Sequence, residues 1–353
     1  MQLTLFVVVL LLGLPVVSPA KEYNPSDLYD VEYFKLENGF DVVLKKRTHV
    51  PNVAVRLVVD VGMRHFPCGK QETPHFLEHL LLLGTSIHSQ AELQNLTENH
   101  GGHQNGYTSS TETGYKIDIY DQHLPLAIDM LYEIMTDAVI TPQRIESVRA
   151  VIYRERKGEY PWLIRWLYEN GLFKNAVTKA RELLLPGTGV RCAGLTTPDG
   201  ITEADVRDTY ANYYVPANMT LVVVGNFDRV KLVSQIKSTF GKLPPKASNG
   251  SNLISSPHFS GKKEATGILS PLVGSDGVVA IAYRTAGRYS PDFYALSLLA
   301  KYFHRIVFER IRVKEAMSYT TIAGYLAEYD FGFFVAGADV SLGRYPRAYA
   351  RGT

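Results

Sequence analysis

Residues 73–84 read TPHFLEHLLLLG, an apolar helix that carries two histidines and a glutamate among phenylalanine and leucines. Thr73 and Pro74 supply a capping hydroxyl and a proline at the first helical position, and Gly84 supplies a stop, so one helix is predicted from Pro74 to about Leu83. A charged glutamate on so apolar a helix needs a buried partner or a purpose. His75 and His79 are four residues apart, so both imidazoles leave one helix face about a turn apart and can meet a single metal ion. Glu78 follows His75 by three, which sets its carboxylate beside such an ion and in reach of a water that the metal activates. A catalytic zinc site takes three protein ligands and keeps a fourth position open, so a third ligand must come from elsewhere in the chain. The bland alternative is two histidines and a glutamate at these offsets by chance on a surface helix. The leucines around them argue against it.

The rest of the chain reads as α+β. FDVVLKKR and NVAVRLVVDVG are rich in β-branched residues between turn formers and are expected as strands, as is GYTSSTETGYKIDIY. LPLAIDMLYEIMTDAV has helical spacing, and RIESVRAVIYRERKGEY keeps Ile145, Val148, Val151 and Ile152 on one helix face. TLVVVGNFD reads as a short buried strand, with a helix around LVSQIKSTFG after it. NVAVRLVVDVGMR then resembles GVVAIAYRTAGRY, each strand leading into a helix, which suggests two copies of one α+β unit. Each copy is expected to be an antiparallel sheet packed with helices. Residues 21–226 would form the first, metal-binding unit and residues 227–353 a shorter, incomplete second unit. A length of 353 residues with 46% hydrophobic side chains is enough for two cores.

Charge and targeting signals narrow the setting. Basic and acidic residues number 37 and 35 and are mixed along the chain, which does not point to nucleic acid. The two cysteines, Cys68 and Cys192, form no disulfide framework; they could bridge in an oxidising compartment, but two cysteines so far apart in sequence are more often unpaired small apolar residues, and no role is assigned to them. Residues 3–17, LTLFVVVLLLGLPVV, followed by Ser18-Pro19-Ala20, read as a secretory signal cleaved after Ala20, although Met1-Gln2 lacks the usual basic residue. The run is short for a membrane span and is interrupted by Pro15, so no stable span is expected after cleavage. Export to a periplasm or to the extracellular space follows. Asn95-Leu-Thr and Asn218-Met-Thr would be glycosylation acceptors on a eukaryotic secretory route.

His75-Phe-Leu-Glu78-His79 fits the His-x-x-Glu-His pattern of inverted zinc peptidases. HFLEHLLLLGT, GGHQNGYTSSTETGY and NYYVPANMTLVVVGNFD together resemble the family of pitrilysin, insulin-degrading enzyme and the mitochondrial processing peptidases. The resemblance runs from about Tyr33 to Asp339. It implies a processing-peptidase-like fold, Zn2+ as cofactor and Glu155 as third ligand, 155 − 79 = 76 residues beyond the second histidine. It also implies that Asn105 holds a substrate backbone on an edge strand, and that Arg312 and Tyr319, seven apart in RVKEAMSY, reach substrate at a facing zinc site. The family often carries another glutamate seven residues before its third ligand, where this chain has Val148. Glu146, nine residues before Glu155, falls half a turn away from that face.

These readings imply a zinc-dependent endopeptidase acting on peptides or unfolded segments, with Glu78 as general base. A homodimer, or a heterodimer with a related subunit, would complete a substrate chamber. Two other classes compete with it: a non-catalytic family subunit that completes a chamber or complex, favoured by Val148 and the short second unit, and a zinc scavenger, which would lack a positioned base.

Overall fold

The computed structural model describes residues 30–155, 198–247, 253, 276–319 and 321–341. The expected signal sequence and Cys192 lie outside them. Six strands form the first sheet: β1 (Glu32–Lys35), β2 (Asp41–Lys46), β3 (Asn52–Val59), β4 (His103–Thr108), β5 (Thr113–Tyr120) and β6 (Met219–Gly225). Their order is β1-β2-β6-β3-β5-β4, antiparallel throughout except where β2 pairs parallel with β6. Helices α1 (Thr73–Leu82), α2 (Gln90–Glu98), α3 (Leu124–Thr136), α4 (Pro142–Glu155), α5 (Glu203–Tyr213) and α6 (Arg229–Ser238) accompany this sheet.

Alternation explains the sheet's inner face. Along β3, Val53, Val55, Leu57 and Val59 are buried, and the residues between them are not. Met219, Leu221 and Val223 of β6 and Tyr115, Ile117 and Ile119 of β5 continue the layer. Phe76, Leu77, Leu80 and Leu81 of α1 pack in the same core, together with Ile128 and Leu131 of α3 and Ile145, Val148 and Ile152 of α4. Each such side chain contributes about 1.5–3 kcal/mol by leaving water, so α1 is held by its leucines on a scaffold assembled from distant parts of the chain. Leu232 and Ile236 of α6, with Phe240 beyond it, also pack in this core.

The second sheet contains β7 (Asp276–Thr285), β8 (Thr321–Ala327) and β9 (Gly332–Ser341) in the antiparallel order β7-β9-β8. Helix α7 (Phe293–Val307) packs on it and widens into a π-helical segment, Phe308–Lys314. β7 thus leads into α7 as β3 leads into α1, and the α+β class with antiparallel sheets packed by helices holds. The two sheets' units touch where Arg64 Nη1 donates to Asp330 Oδ1 at 2.8 Å and Ser110 donates to Glu328. Among the described residues no helix is long and apolar enough to cross a membrane.

Four local expectations need correction. GYTSSTETGYKIDIY is two strands rather than one, because Ser109 Oγ accepts the backbone N–H groups of Thr111 and Glu112 and closes a turn between β4 and β5. Helix α1 begins one residue early: Glu72 is its N-cap, and the Thr73 hydroxyl donates back to the Lys70 carbonyl at 2.7 Å instead of capping. Cys68 is disulfide-bonded, not a spare apolar residue. Asn218 is buried, with its amide donating to the carbonyls of Asp60 and Tyr213, so a glycan there is incompatible with the fold, whereas Asn95 is exposed on α2.

Candidate metal centre

The His75 and His79 rings leave α1 on one face, as their spacing requires, with centroids 4.8 Å apart. Helix α4 is laid against α1 by its buried apolar face and by Arg149, whose guanidinium sits 5.2 Å from the Phe76 ring centroid and donates to the Ile201 carbonyl at 2.8 Å. That packing carries Glu155, the last residue of α4, to the histidines. Its Oε2 lies 3.3 Å from His75 Nε2 and 3.4 Å from His79 Nε2, and the two nitrogens are 3.1 Å apart.

The triangle has a chemical meaning. Donor atoms bound about 2.0–2.1 Å from one tetrahedral ion lie about 3.3–3.4 Å from one another, which is the spacing found. Two imidazole nitrogens and a carboxylate oxygen are a donor set that suits zinc. Among the described residues these three form the one cluster of histidine, cysteine and carboxylate groups able to hold a metal.

Glu78 lies beside the triangle and outside it. It is 7% exposed, and its Oε2 accepts a hydrogen bond of 2.7 Å from the Thr108 hydroxyl on β4. Gly106 makes room for it: a Cβ at that position would stand 2.6 Å from Glu78 Cγ and 2.9 Å from Oε1. Nearby, the Tyr115 and Tyr214 hydroxyls lie 3.0 Å apart. Burial, with a contribution from Glu78, raises the titration of both phenols, so they remain neutral neighbours of the carboxylate.

The other expected residues are distributed as follows. Asn105 is exposed on β4, the strand at the edge of the sheet nearest Glu78, and its Oδ1 accepts the Gly106 N–H at 2.9 Å. Arg312 and Tyr319 stack on each other in the second unit, 4.2 Å from guanidinium carbon to ring centroid, while the His–His–Glu cluster is built wholly from the first. Val148 is buried in the core, and Glu146 pairs with Arg149, so neither adds a carboxylate to the cluster. Sequence reasoning missed Glu72, Thr108 and Gly106. Glu72 had a signal in its spacing, three residues before His75 on one helix. Thr108 and Gly106 had none, since only strand packing brings them to Glu78.

The chain is similar to known proteins in both sequence and fold. A family profile described as "Insulinase (Peptidase family M16)" matches residues 41–161, and one described as "Peptidase M16 inactive domain" matches residues 200–351. The beta subunit of the mitochondrial-processing peptidase of Saccharomyces cerevisiae is 30% identical over 217 residues, 60% of this chain and 44% of that protein. An uncharacterized zinc protease of Rickettsia felis is 26% identical over 312 residues, 87% of this chain and 73% of that protein. The chain spans about half the length of the processing-peptidase subunits it matches, 57% for that of Lentinula edodes. Among solved structures, a protease from Helicobacter pylori superposes with a TM-score of 0.72 at 21% identity, covering 88% of this chain and 75% of that one. The periplasmic protease PqqL of Escherichia coli gives 0.66 at 21% identity, over 88% of this chain and 35% of that one. With both halves of the chain matched in sequence and the fold shared with these proteases, the chain belongs to the insulinase family of peptidases, family M16.

Proposed function

We propose that this chain is the zinc-binding unit of an endopeptidase, with His75, His79 and Glu155 as ligands and Glu78 as general base. The observation that carries the reading is the 3.1–3.4 Å triangle of donor atoms with a separate, buried carboxylate held beside it. His75, His79 and Glu155 would hold zinc, which when bound would supply the Lewis acidity that makes water a better acid and polarises a carbonyl. Glu78 takes the proton as water attacks the peptide carbonyl and returns it to the leaving amine. Thr108 keeps the carboxylate in one orientation while this happens. A substrate strand adds to the outer edge of β4, where Asn105 is exposed, and backbone pairing there tolerates varied side chains.

The same reading assigns Arg312 and Tyr319 to substrate in a facing site, so the working form is a dimer of this chain or a pair with a related subunit. Its setting is exported, a periplasm or the extracellular space. The Cys68 disulfide supports that, because such bonds persist in oxidising compartments. The deciding experiment compares bound zinc and chelator-sensitive cleavage of a quenched peptide in wild type and Glu78→Gln. The reading expects zinc in both and cleavage in wild type alone. Zinc retained with no cleavage by wild type, even with a related subunit added, favours the second reading, a non-catalytic subunit. One relative favours it too: core protein I of the ubiquinol-cytochrome-c reductase complex of Euglena gracilis is 27% identical over 75% of this chain. Cleavage unaffected by Glu78→Gln removes the base from the mechanism.

A further inference from the structure

Glu72 is 1% exposed, and a carboxylate that far from water needs strong partners. Two are evident. It stands at the N-cap of α1, where the helix dipole favours negative charge. Its Oε2 also lies 2.9 Å from Nδ1 of His75, on the side of the ring away from the triangle. Glu72 makes no cap bond with its side chain, so the carboxylate is turned along the helix toward the imidazole.

A neutral imidazole has one N–H and one lone pair, and the hydrogen bond at one nitrogen decides which is which. With a carboxylate at Nδ1, the proton rests there and the lone pair falls on Nε2, the atom facing His79 Nε2 and Glu155 Oε2. We propose that Glu72 is a positioning residue of the metal centre: by accepting the Nδ1–H of His75 it selects the tautomer and ring orientation that turn Nε2 toward the ion. The inference rests on the reading of His75, His79 and Glu155 as metal ligands, and it adds a fourth carboxyl group that touches a ligand without touching the ion. Rotation of the His75 ring, which would otherwise cost binding energy when the ion arrives, is thereby suppressed beforehand.

The test uses Glu72→Ala and the isosteric Glu72→Gln, each checked for native circular dichroism and a cooperative melt. Zinc affinity is measured by competition with a chromophoric chelator, and the His75 tautomer by long-range proton–nitrogen NMR of the zinc-free protein. Glu72→Ala is expected to bind zinc about 10- to 100-fold more weakly and to lose the Nδ1–H tautomer of His75. Glu72→Gln, whose amide oxygen still accepts from Nδ1, is expected to recover part of both. A folded Glu72→Ala protein with wild-type affinity overturns the proposal and leaves the ligand assignment intact. So does a folded Glu72→Gln protein that keeps the tautomer without any recovery of affinity. Wild-type protein that takes up no zinc overturns the ligand assignment and this proposal together. Wild type that binds zinc without cleaving peptide defeats only the peptidase reading, and the affinities of the variants still decide the role of Glu72.

Discussion

The proposed base, Glu78, is the residue whose surroundings are most exacting. Glu78 is kept in place by one hydroxyl and one missing side chain, Thr108 and Gly106, both on β4. Thr108→Val removes a hydrogen bond to a carboxylate while preserving shape, and such bonds contribute about 1.5–3 kcal/mol. Peptide cleavage should fall roughly 10- to 100-fold, by that same energy, with bound zinc unchanged in metal analysis. Gly106→Val acts by volume, pushing Glu78 off its position. Because the obstructed atoms belong to a flexible side chain and not to backbone, turnover should drop by at least about 10-fold with only a small change in melting temperature. Equal activity of either variant and wild type in the quenched-peptide assay would show that Glu78 needs no such seat.

At the scale of elements, capping and buried amides decide how well the pieces stay in place. Helix α2 starts at Ser89, whose hydroxyl accepts the Glu92 N–H while the Glu92 carboxylate accepts the Ser89 N–H, a reciprocal box that Ser89→Ala breaks for about 1 kcal/mol. Asn218 matters more. Its amide satisfies two backbone carbonyls, at the end of β3 and the end of α5, from a buried position beside β6. Asn218→Ala should lower unfolding free energy by about 1–3 kcal/mol, read as a lower denaturant midpoint at constant slope. Helix α6 follows the strand expected to close the first unit, and its apolar side chains pack in the core beneath the first sheet. The strand expectation for residues 106–120 missed its turn, because alternation continues across Ser109–Glu112 while only side-chain-to-backbone bonds reverse the chain.

Among the described residues, the two units meet at a small polar knot around Arg64. The Arg64 side chain is buried, paired with Asp330 and 5.4 Å from the Phe331 ring centroid. Asp330→Ala takes a partly exposed carboxylate away from a buried guanidinium, a change that costs about 1.5–3 kcal/mol for a hydrogen bond to a charged group. The expected result is a lower melting temperature, with the two units melting separately in calorimetry. The adjoining His65 adds a pH dependence. Burial lowers its pKa below 6.5, its Nδ1 accepts the Gly62 N–H at 3.0 Å, and its buried Nε2 has no hydrogen-bond partner among the described residues. Below pH 6.5 the unfolded chain therefore binds a proton that the folded chain resists, and stability falls with pH from there down to the lowered pKa. His65→Gln should flatten that loss when urea midpoints at pH 5.5 and 8 are compared; an unchanged pH slope would place the effect elsewhere.

Much of the site was written in local spacing. An offset of four between the histidines sets two imidazoles on one helix face, and an offset of three from His75 sets Glu78 beside them, because the helix repeat is a property of the backbone alone. Runs of β-branched residues bounded by turn formers likewise marked β3 and β6, and apolar helical spacing marked α3 and α4. Resemblance to relatives, not spacing, pointed to Glu155. What brings its carboxylate within 3.4 Å of both histidines is the docking of α4 on α1, a sum of many apolar contacts made only after the sheet has formed. The seat of Glu78, the turn of Glu72 toward His75, the pairing of Cys68 and the knot at Arg64 were decided in the same way. Each depends on residues far apart in sequence, or on a side chain choosing one partner over another, and a linear pattern records neither distance nor that choice.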